Sequence, residues 1–315
     1  MLARSGKLRT FRDNAVLGIA LCAVGGFMNA GGLVVVSTVV SHVTGHWTNF
    51  GKDLGEANWL GAAKFGGYCL SFLCGAIFST FLIESNRNER LRSIYVRPLL
   101  VELAFVTLFA IFGSKLLEWS PGWQAGVVAY LCFTLGLQNA MLSRLTGGAV
   151  RGTHLTGITT DLGIEIVRVW FLARQRLHNL RLARGDAFGL GDLLGELRDI
   201  ATQEPAQRLR LFVYMLTSFV SGAIVGTISF GHFGSLGALP VVVMLAVLDG
   251  RELLELRREI AFEAREKDRA TGASAPRPLA SSSGIVLPEP RAAEATAVAP
   301  APEPVPTPPA TTPSP

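Results

Sequence analysis

The sequence predicts an all-α membrane protein of six transmembrane helices, arranged as two inverted three-helix repeats and followed by a disordered C-terminal tail. Two observations support this class: the chain is unusually apolar, and parts of it recur in the same order. Of its 315 residues, 49% are hydrophobic and 17% are charged, and the mean hydropathy is +0.38. Soluble domains carry about 25% charged residues, so this composition favours a membrane protein.

Long apolar stretches predict the number of spans. About 20 apolar residues are needed to cross the roughly 30 Å of bilayer hydrocarbon. Stretches of this kind lie at about 15–38, 65–83, 98–114, 122–143, 210–230 and 233–248. The first stretch resembles a signal peptide, but its apolar run continues to Val40 and it has a counterpart later in the chain, so we interpret it as a retained span.

The distribution of Lys and Arg predicts the orientation, because basic residues accumulate on the cytoplasmic side. Four precede the first span, four lie between Arg87 and Arg97, and ten lie between Arg144 and Arg210. We therefore expect a multi-pass protein of the inner (plasma) membrane with both termini in the cytoplasm. The net charge of +5 is distributed over these loops, which argues against a nucleic-acid partner.

Three blocks of the first half recur in the second. Residues 26–30 match 136–140, residues 41–51 match 153–163, and residues 71–80 match 218–227. Each unit contains three predicted spans, and because three is odd, the second unit enters the membrane from the opposite side. Inverted repeats are common in secondary transporters, whose solute site lies near the midplane where the copies meet.

Polar residues of the matched blocks are the candidates for a substrate or ion path. Such side chains are costly at membrane depth and usually face a bundle interior or a water-filled path. Helix capping is the alternative for the Thr residues. For the two Asn residues, a helix bend that lines a cavity and an interhelical Asn–Asn contact are both open. The candidates are Asn29, His42, Thr44, Asn49, Gln138, Asn139, His154, Thr156 and Asp161.

Apart from Arg210, the first residue of the fifth predicted span, Glu102 is the only Asp, Glu, Lys, Arg or His inside the six predicted spans. An intramembrane carboxyl is a candidate for proton coupling, and the alternative is that Glu102 reaches the nearby cytoplasmic interface. His42 and His46 have the four-residue spacing of a helical metal pair, but Ile158 replaces the second His in the other copy. We therefore predict neither a metal site nor a cofactor, and we assign His46 and Trp47 to the membrane interface.

Small residues at four-residue intervals predict two close helix contacts. Small side chains on one helical face allow two backbones to approach each other in lipid. Those singled out for helix packing are Gly67, Ser71, Gly75, Ser218, Gly222 and Gly226.

The remaining segments complete the predicted organisation. The insert in the second repeat alternates Leu with Arg, which is typical of a helix lying on anionic headgroups. The last segment holds twelve of the sixteen prolines and cannot bury a core. The segments are a basic N-terminus 1–14, a first repeat 15–119, a second repeat 120–249 with the insert at about 173–208, a charged cytoplasmic helix 250–269 and a disordered tail 270–315.

At the two polar blocks the chain resembles the YoaK-like family of small bacterial membrane proteins, which has no assigned activity. The resemblance runs from about residue 15 to 248 and is carried by residues 26–30, 40–46, 136–140 and 151–157. It implies a six-span membrane protein. In the first copy, members of this family often have the sequences Asp-Ala and Thr-Gly-Asn, where this chain has Asn29-Ala30 and Thr44-Gly45-His46. A coupling acid at the first of these positions is therefore missing here.

The leading functional hypothesis is a small inverted-repeat transporter or channel-like permease in the lipid bilayer, acting on an unknown small solute or ion. One alternative is an intramembrane lipid hydrolase that uses His with Asp161 or a metal. Another is a non-catalytic membrane scaffold that presents the basic insert and the tail. The sequence leaves open whether the protein is an enzyme, and it is compatible with a homo-oligomer.

Overall fold

The structure, a computed structural model, describes residues 11–85, 94–145, 155–185 and 189–273. Within these ranges the regular elements are helices, which confirms the predicted all-α class, and no strand is present. Short 3₁₀ turns occupy Pro121–Trp123 and Gly234–Ala238. The α-helices are α1 (Phe11–Val36), α2 (Val43–Gly55), α3 (Trp59–Ser85), α4 (Val96–Trp119), α5 (Gln124–Leu145), α6 (Leu155–Arg184), α7 (Leu190–Thr202), α8 (Glu204–Phe233) and α9 (Leu239–Ala273).

Five stretches of the described chain are long and apolar enough to cross a membrane. They are Asn14–Val36, Trp59–Ser85, Val96–Trp119, Gln124–Leu145 and Glu204–Arg258. The last is 55 residues long and comprises α8, a 3₁₀ turn and the first part of α9. Several apolar helices of spanning length agree with an integral membrane protein.

The polar blocks and the insert lie on helices whose bounds differ from the expected ones. The first block contributes α2, whereas the described part of the second block begins α6, which continues for 30 residues to Arg184. The insert is therefore divided between the end of α6, α7 and the start of α8. The charged segment 250–269 is not a separate helix but a continuation of α9. Gly250 alone costs about 1 kcal/mol of helix propensity, which is too little to end a long helix.

Residues 1–268 form one compact unit, and 269–315 are assigned to a second. The described part of the second unit is the end of α9, residues 269–273. The predicted disordered tail from residue 274 onward lies outside the described residues, as does the basic N-terminus up to residue 10.

Helices α1 and α5 occupy the centre of the first unit. In each of them 67% of the most apolar window is buried, compared with 28% for α3 and 33% for α4. Fully buried apolar side chains such as Leu21 and Cys22 on α1, and Leu131 and Cys132 on α5, form much of the core. The most extensive helix contacts are those of α1 with α8 and of α3 with α5. Each central helix thus packs along one main partner from the other half of the chain.

Glycines bring the backbones of α1 and α8 into direct contact. A Cβ atom at Gly26 would lie within 3.0 Å of the Phe219 backbone, and one at Gly222 within 3.0 Å of the Ala23 backbone. Real Cβ atoms do not approach backbone atoms this closely, so only glycine fits at either position. Close approach of this kind is how small residues drive helix association in lipid.

The pair α3 and α5 makes the same contact with the matched residues. Gly136, the match of Gly26, lies against the backbone of Phe72, and Gly75 lies against that of Phe133. Phe72 is the match of Phe219, so the glycine-to-backbone contact of one pair recurs in the other with the halves of the chain exchanged.

The other small residues have different roles. Ser218 donates a hydrogen bond from Oγ to the carbonyl of Ile19 at 2.8 Å, which adds a polar link between α8 and α1. A Cβ at Gly226 would lie 2.6 Å from the Phe27 carbonyl oxygen. A Cβ at Gly67 would meet open space, and Ser71 is half-buried on the same helix. The four-residue pattern thus identifies one helical face. It does not distinguish the positions in contact with a neighbouring backbone from those that face open space.

We expect Gly75→Ala to destabilise the protein, because the added methyl group collides with the Phe133 backbone and forces α3 from α5. The expected loss is about 1–3 kcal/mol, measured as a lower midpoint of thermal unfolding in detergent. Gly67→Ala is the matched control on the same helix. It meets no neighbour and should be neutral or stabilise by up to about 1 kcal/mol. Equal midpoints for the two variants would contradict the packing role of Gly75.

Candidate functional site

A cavity of about 730 Å³ lies where the matched blocks meet, and we call it the central cavity. It is lined by α1, α2, α3, α5, α6 and α8 together with the segment between α1 and α2. Its described lining residues are Gly26, Asn29, Ala30, Leu33, Val39, Ser41, His42, Val43, Thr44, Phe72, Asn139, Leu155, Thr156, Phe219, Ala223 and Thr227.

Both halves of the chain contribute matched residues to this lining. The matched pairs are Asn29 with Asn139, Val43 with Leu155, Thr44 with Thr156, and Phe72 with Phe219. The same Phe72 and Phe219 provide the backbone against which the glycines pack. The central cavity therefore depends on the two glycine contacts for its position.

The lining is uneven at its two ends. It extends along α1 to Leu33 and along α8 to Thr227, whereas the described matches of these residues, Ser143 and Thr80, are not part of it. Within the described residues, the cavity therefore reaches further between α1 and α8 than between α5 and α3.

Asn29 is buried on α1 and is engaged in a hydrogen bond. Its Oδ1 accepts the backbone N–H of Ser41 at 3.0 Å, twelve residues further along the chain. Helix α1 runs without a break past the glycines on either side of Asn29. The Asn29 side chain thus anchors the start of the first polar block to α1, and Asn29 is one of the residues that line the central cavity.

Asn139 and Gln138 are adjacent on α5 but point in different directions. Asn139 lines the central cavity, and its Nδ2 donates to the carbonyl of Leu135 at 2.9 Å. Gln138 is buried outside the described lining and donates from Nε2 to the carbonyl of Leu21 on α1 at 3.0 Å. Its Oε1 is buried without a partner. The structure thus brings Asn139 to the cavity and places Gln138 at the contact between the two central helices.

The first polar block divides its histidines between two environments. His42 directly precedes α2, is exposed and lines the central cavity together with Thr44. His46, one turn later, is buried against Phe65 and Tyr68, with ring centroids 6.1 and 5.3 Å away. His46 is thus packed within the protein, because the aromatic residues of α3 cover this side of α2, and its level at the membrane interface stays a prediction.

Burial lowers the pKa of His46, and the nearby charge of His42 lowers it further. Hydrogen bonds to the backbone of Val39 and Val40 oppose this effect. The neutral imidazole is thus favoured in the folded protein, while the unfolded chain titrates near its ordinary value of 6.5. Residues 43–55 lie outside the five candidate spans, so this titration belongs to a helix beside the membrane core.

We expect acidification to destabilise the protein through His46. Its folded pKa lies below the unfolded one, so the unfolded state binds more protons as the pH falls from about 6.5 to the lowered value. Within this range the free energy of unfolding falls by at most about 1.4 kcal/mol per pH unit. Above pH 6.5 the stability associated with the neutral imidazole is fully retained. His46→Gln should reduce the loss of unfolding midpoint between pH 7.5 and 5.5, whereas His232→Gln, at an exposed site, should not. An unchanged pH dependence in His46→Gln would contradict this role.

The second polar block is described from Leu155 onward. Thr156 is exposed to the central cavity, whereas His154 lies outside the described residues. Asp161 is half-buried further along α6, and its counterpart Asn49 is half-buried on α2. Neither belongs to the described lining of the cavity. Five of the nine path candidates therefore line one cavity: Asn29, His42, Thr44, Asn139 and Thr156.

Glu102 is fully buried on α4, away from the described cavity lining, and neither carboxyl oxygen has a hydrogen-bond partner among the residues that the structure describes. It does not reach an aqueous interface. Asp249 of α9 lies close enough for the two charges to interact, and both of its oxygens are also buried without a partner. Sequence reasoning missed Asp249 because the last predicted span ended one residue before it. A sequence signal for Asp249 was present, since this acid directly follows the apolar run of the last predicted span.

Two further buried acids extend the repeat beyond the matched blocks. Asp53 on α2 and Glu165 on α6 each lie two residues past the last matched glycine, and both are buried. Asp53 pairs with Lys52 at 3.5 Å. Glu165 pairs with Arg168 at 2.9 Å and with Arg208 of α8 at 3.8 Å. Extending the alignment of the second block by two residues identifies this pair of acids. Their burial helps to fix α2 and α6, the helices that carry the polar blocks.

Among the described residues, no three His, Cys, Asp or Glu side chains lie close enough together to hold a metal ion. The cysteines at 22, 69, 74 and 132 are free thiols. A family model described as "Protein of unknown function (DUF1275)" matches residues 17–248. No curated protein and no solved structure matches the chain.

Proposed function

We propose that this chain, which belongs to the DUF1275 family, is a small permease that moves a polar solute or ion through the central cavity. The observation that carries the proposal is the composition of the cavity wall. Matched polar residues from both halves of the chain line one space: Asn29 and its match Asn139, and Thr44 and its match Thr156. Transporters built from inverted repeats place their solute sites at such a junction.

In this proposal six helices cross the membrane. Helices α1, α3 and α4 form the first unit, and α5, α8 and α9 form the second. The 55-residue apolar stretch supports two crossings, because about 20 residues suffice for one and a 3₁₀ turn divides it. The exchanged glycine contacts support an inverted relation between the units. The distribution of Lys and Arg supports an inner-membrane protein with both termini in the cytoplasm.

The groups proposed to contact the solute are those that the fold leaves exposed at the wall. Thr44, Thr156 and His42 are exposed at the cavity, whereas Asn29 already binds the Ser41 backbone. The two hydroxyl groups come from the first turns of α2 and α6, so a solute between them can hydrogen-bond to both halves. A wall that mixes these groups with Phe72 and Phe219 suits a small molecule with polar and apolar parts.

We expect the double variant Thr44→Val and Thr156→Val to lower solute flux by about tenfold, because each substitution keeps the shape and removes one hydrogen bond. Flux is measured with the full chain in liposomes, by light scattering with glycerol and urea, and with alanine and potassium chloride as further probes. Thr217→Val is the matched control. This exposed hydroxyl donates to its own helix at Val213.

Two results would count against the permease. One is flux of every probe at the rate of protein-free liposomes. The other is equal flux in the wild type and the double variant, which would remove the two hydroxyls from the path.

For coupling, we propose that Glu102 carries the transported proton and that Asp249 shares it. An ionised carboxylate buried without a partner costs several kcal/mol, so a buried acid of this kind is held neutral and ionises only when its surroundings change. Glu102 and Asp249 come from α4 and α9, the last helices of the two proposed units. Relative movement of the units therefore changes the distance between the two carboxyls.

Glu102→Gln is expected to abolish solute-dependent proton movement, because the amide cannot release a proton, while leaving the unfolding midpoint nearly unchanged. Proton movement is followed with a pH-sensitive dye trapped in the liposomes when solute is added. Glu118→Gln, an exposed position near the end of the same helix, serves as the control. Persistent proton movement in Glu102→Gln would exclude this carboxyl from coupling.

A further inference from the structure

We propose that one exposed face of α6 binds the headgroups of anionic phospholipids. This face, which we call the α6 lipid face, consists of Ile164, Val167, Trp170, Phe171, Arg174, His178 and Arg181. Three- and four-residue steps connect these positions, so they share one side of the helix. The inference is independent of whether the central cavity transports a solute.

Residue types change in a fixed order along this face. Ile164 and Val167 come first and are 45% and 52% exposed. Trp170 and Phe171 follow and are 55% and 56% exposed. Isolated apolar residues of this size are common on surfaces, but a contiguous exposed row in a membrane protein indicates contact with lipid.

At the positions of the α6 lipid face the basic residues begin where the aromatic pair ends. Arg168, an exposed arginine that precedes the pair, is bound to Glu165 at 2.9 Å. Arg174 lies over the ring of Trp170, with its guanidinium carbon 5.6 Å from the ring centroid. Trp170 and Phe171 are themselves in edge contact at 4.8 Å. Beside them is a cavity of about 660 Å³, whose described lining is Phe171, Arg174, Gln175, Leu177, His178 and Arg181. An arginine that contacts an aromatic ring and lines a basic cavity is well placed to bind a phosphate group.

This order corresponds to the profile of a bilayer. A helix rises 1.5 Å per residue, so Ile164 to Phe171 covers about 10 Å and Arg174 to Arg181 another 10 Å. Aromatic residues favour the level of the headgroups, apolar side chains lie below it, and Arg residues interact with lipid phosphates above it. An acidic protein partner would require the basic residues but not the apolar and aromatic row that precedes them. The gradient therefore favours lipid.

Helix α7 covers a different side of α6 and uses other arginines. Arg176 pairs with Glu196 of α7 at 3.5 Å, and Arg184 pairs with Asp192 at 3.2 Å. Glu196 lies on the side away from Arg174 and His178, since Arg176 is two residues from each and two residues turn a helix by about 200°. The fold thus pairs Arg176 with α7, whereas Arg174 lies over the ring of Trp170 on the exposed face.

The test uses the full chain in nanodiscs that contain equal amounts of phosphatidylglycerol and phosphatidylcholine, from which the protein is extracted with mild detergent. Mass spectrometry then gives the ratio of the two lipids retained. The wild type should retain phosphatidylglycerol in excess. Arg174→Gln should lower this excess by about fivefold, the value of one basic residue at an anionic surface. Inorganic phosphate at millimolar concentration should not displace the lipid, which separates a headgroup in a bilayer from free phosphate.

Arg176→Gln is the matched control, since it removes the same charge from the other side of α6 and should change the excess less than twofold. An equal loss in both variants would overturn the proposal in favour of a general charge effect. Equal retention of the two lipids by the wild type would overturn it outright.

A second measurement keeps every charge and so does not depend on how the arginine variants fold. Brominated phosphatidylglycerol should quench Trp170, so Trp170→Phe should remove more of the quenched fluorescence than Trp123→Phe, a tryptophan of the turn before α5. Equal losses in the two variants would contradict a lipid contact at Trp170.

Discussion

The contact between a glycine and the backbone of a neighbouring helix is the constraint on which the rest of this structure depends. It joins α1 to α8 through Gly26 and Gly222, and it joins α3 to α5 through the matched glycines. In lipid there is little hydrophobic gain from bringing two apolar helices together, so close packing must provide the association. A single methyl group at one of these positions would occupy space already filled by a carbonyl.

The polar features are arranged around this packing. Because Phe72 and Phe219 are held by the glycines, their side chains reach the central cavity from opposite halves of the chain. Asn29 binds the start of the first polar block, and Glu165 joins α6 to α8 through Arg208. The helices that carry the polar blocks are thus fixed to the packed spans. Glu102 and Asp249 lie outside the described cavity wall, so a role for them requires coupling through helix movement.

Sequence reasoning predicted the all-α class and the main apolar helices, and each of these predictions has a local cause. Apolar runs identify membrane helices because the bilayer imposes a minimum length. The matched blocks pointed to Asn29, Thr44, Asn139 and Thr156 because equivalent residues of a repeat occupy equivalent places. Local patterns did not indicate the burial of His46, which depends on Phe65 and Tyr68 of another helix. They also failed at α9, where neither charge nor Gly250 ends the helix.

By itself, the sequence determined that this is an all-helical membrane protein, where its apolar helices lie and which segments repeat. Hydrophobic length and residue identity are properties of one segment at a time. Only the tertiary structure decided that His42 lines the cavity while His46 is buried. It also decided that Gln138 donates a hydrogen bond to Leu21 and that Asp249 lies close enough to Glu102 for their charges to interact. Helical periodicity tells which residues share a face, but it does not tell which neighbour covers that face, because the covering helix comes from a distant part of the chain.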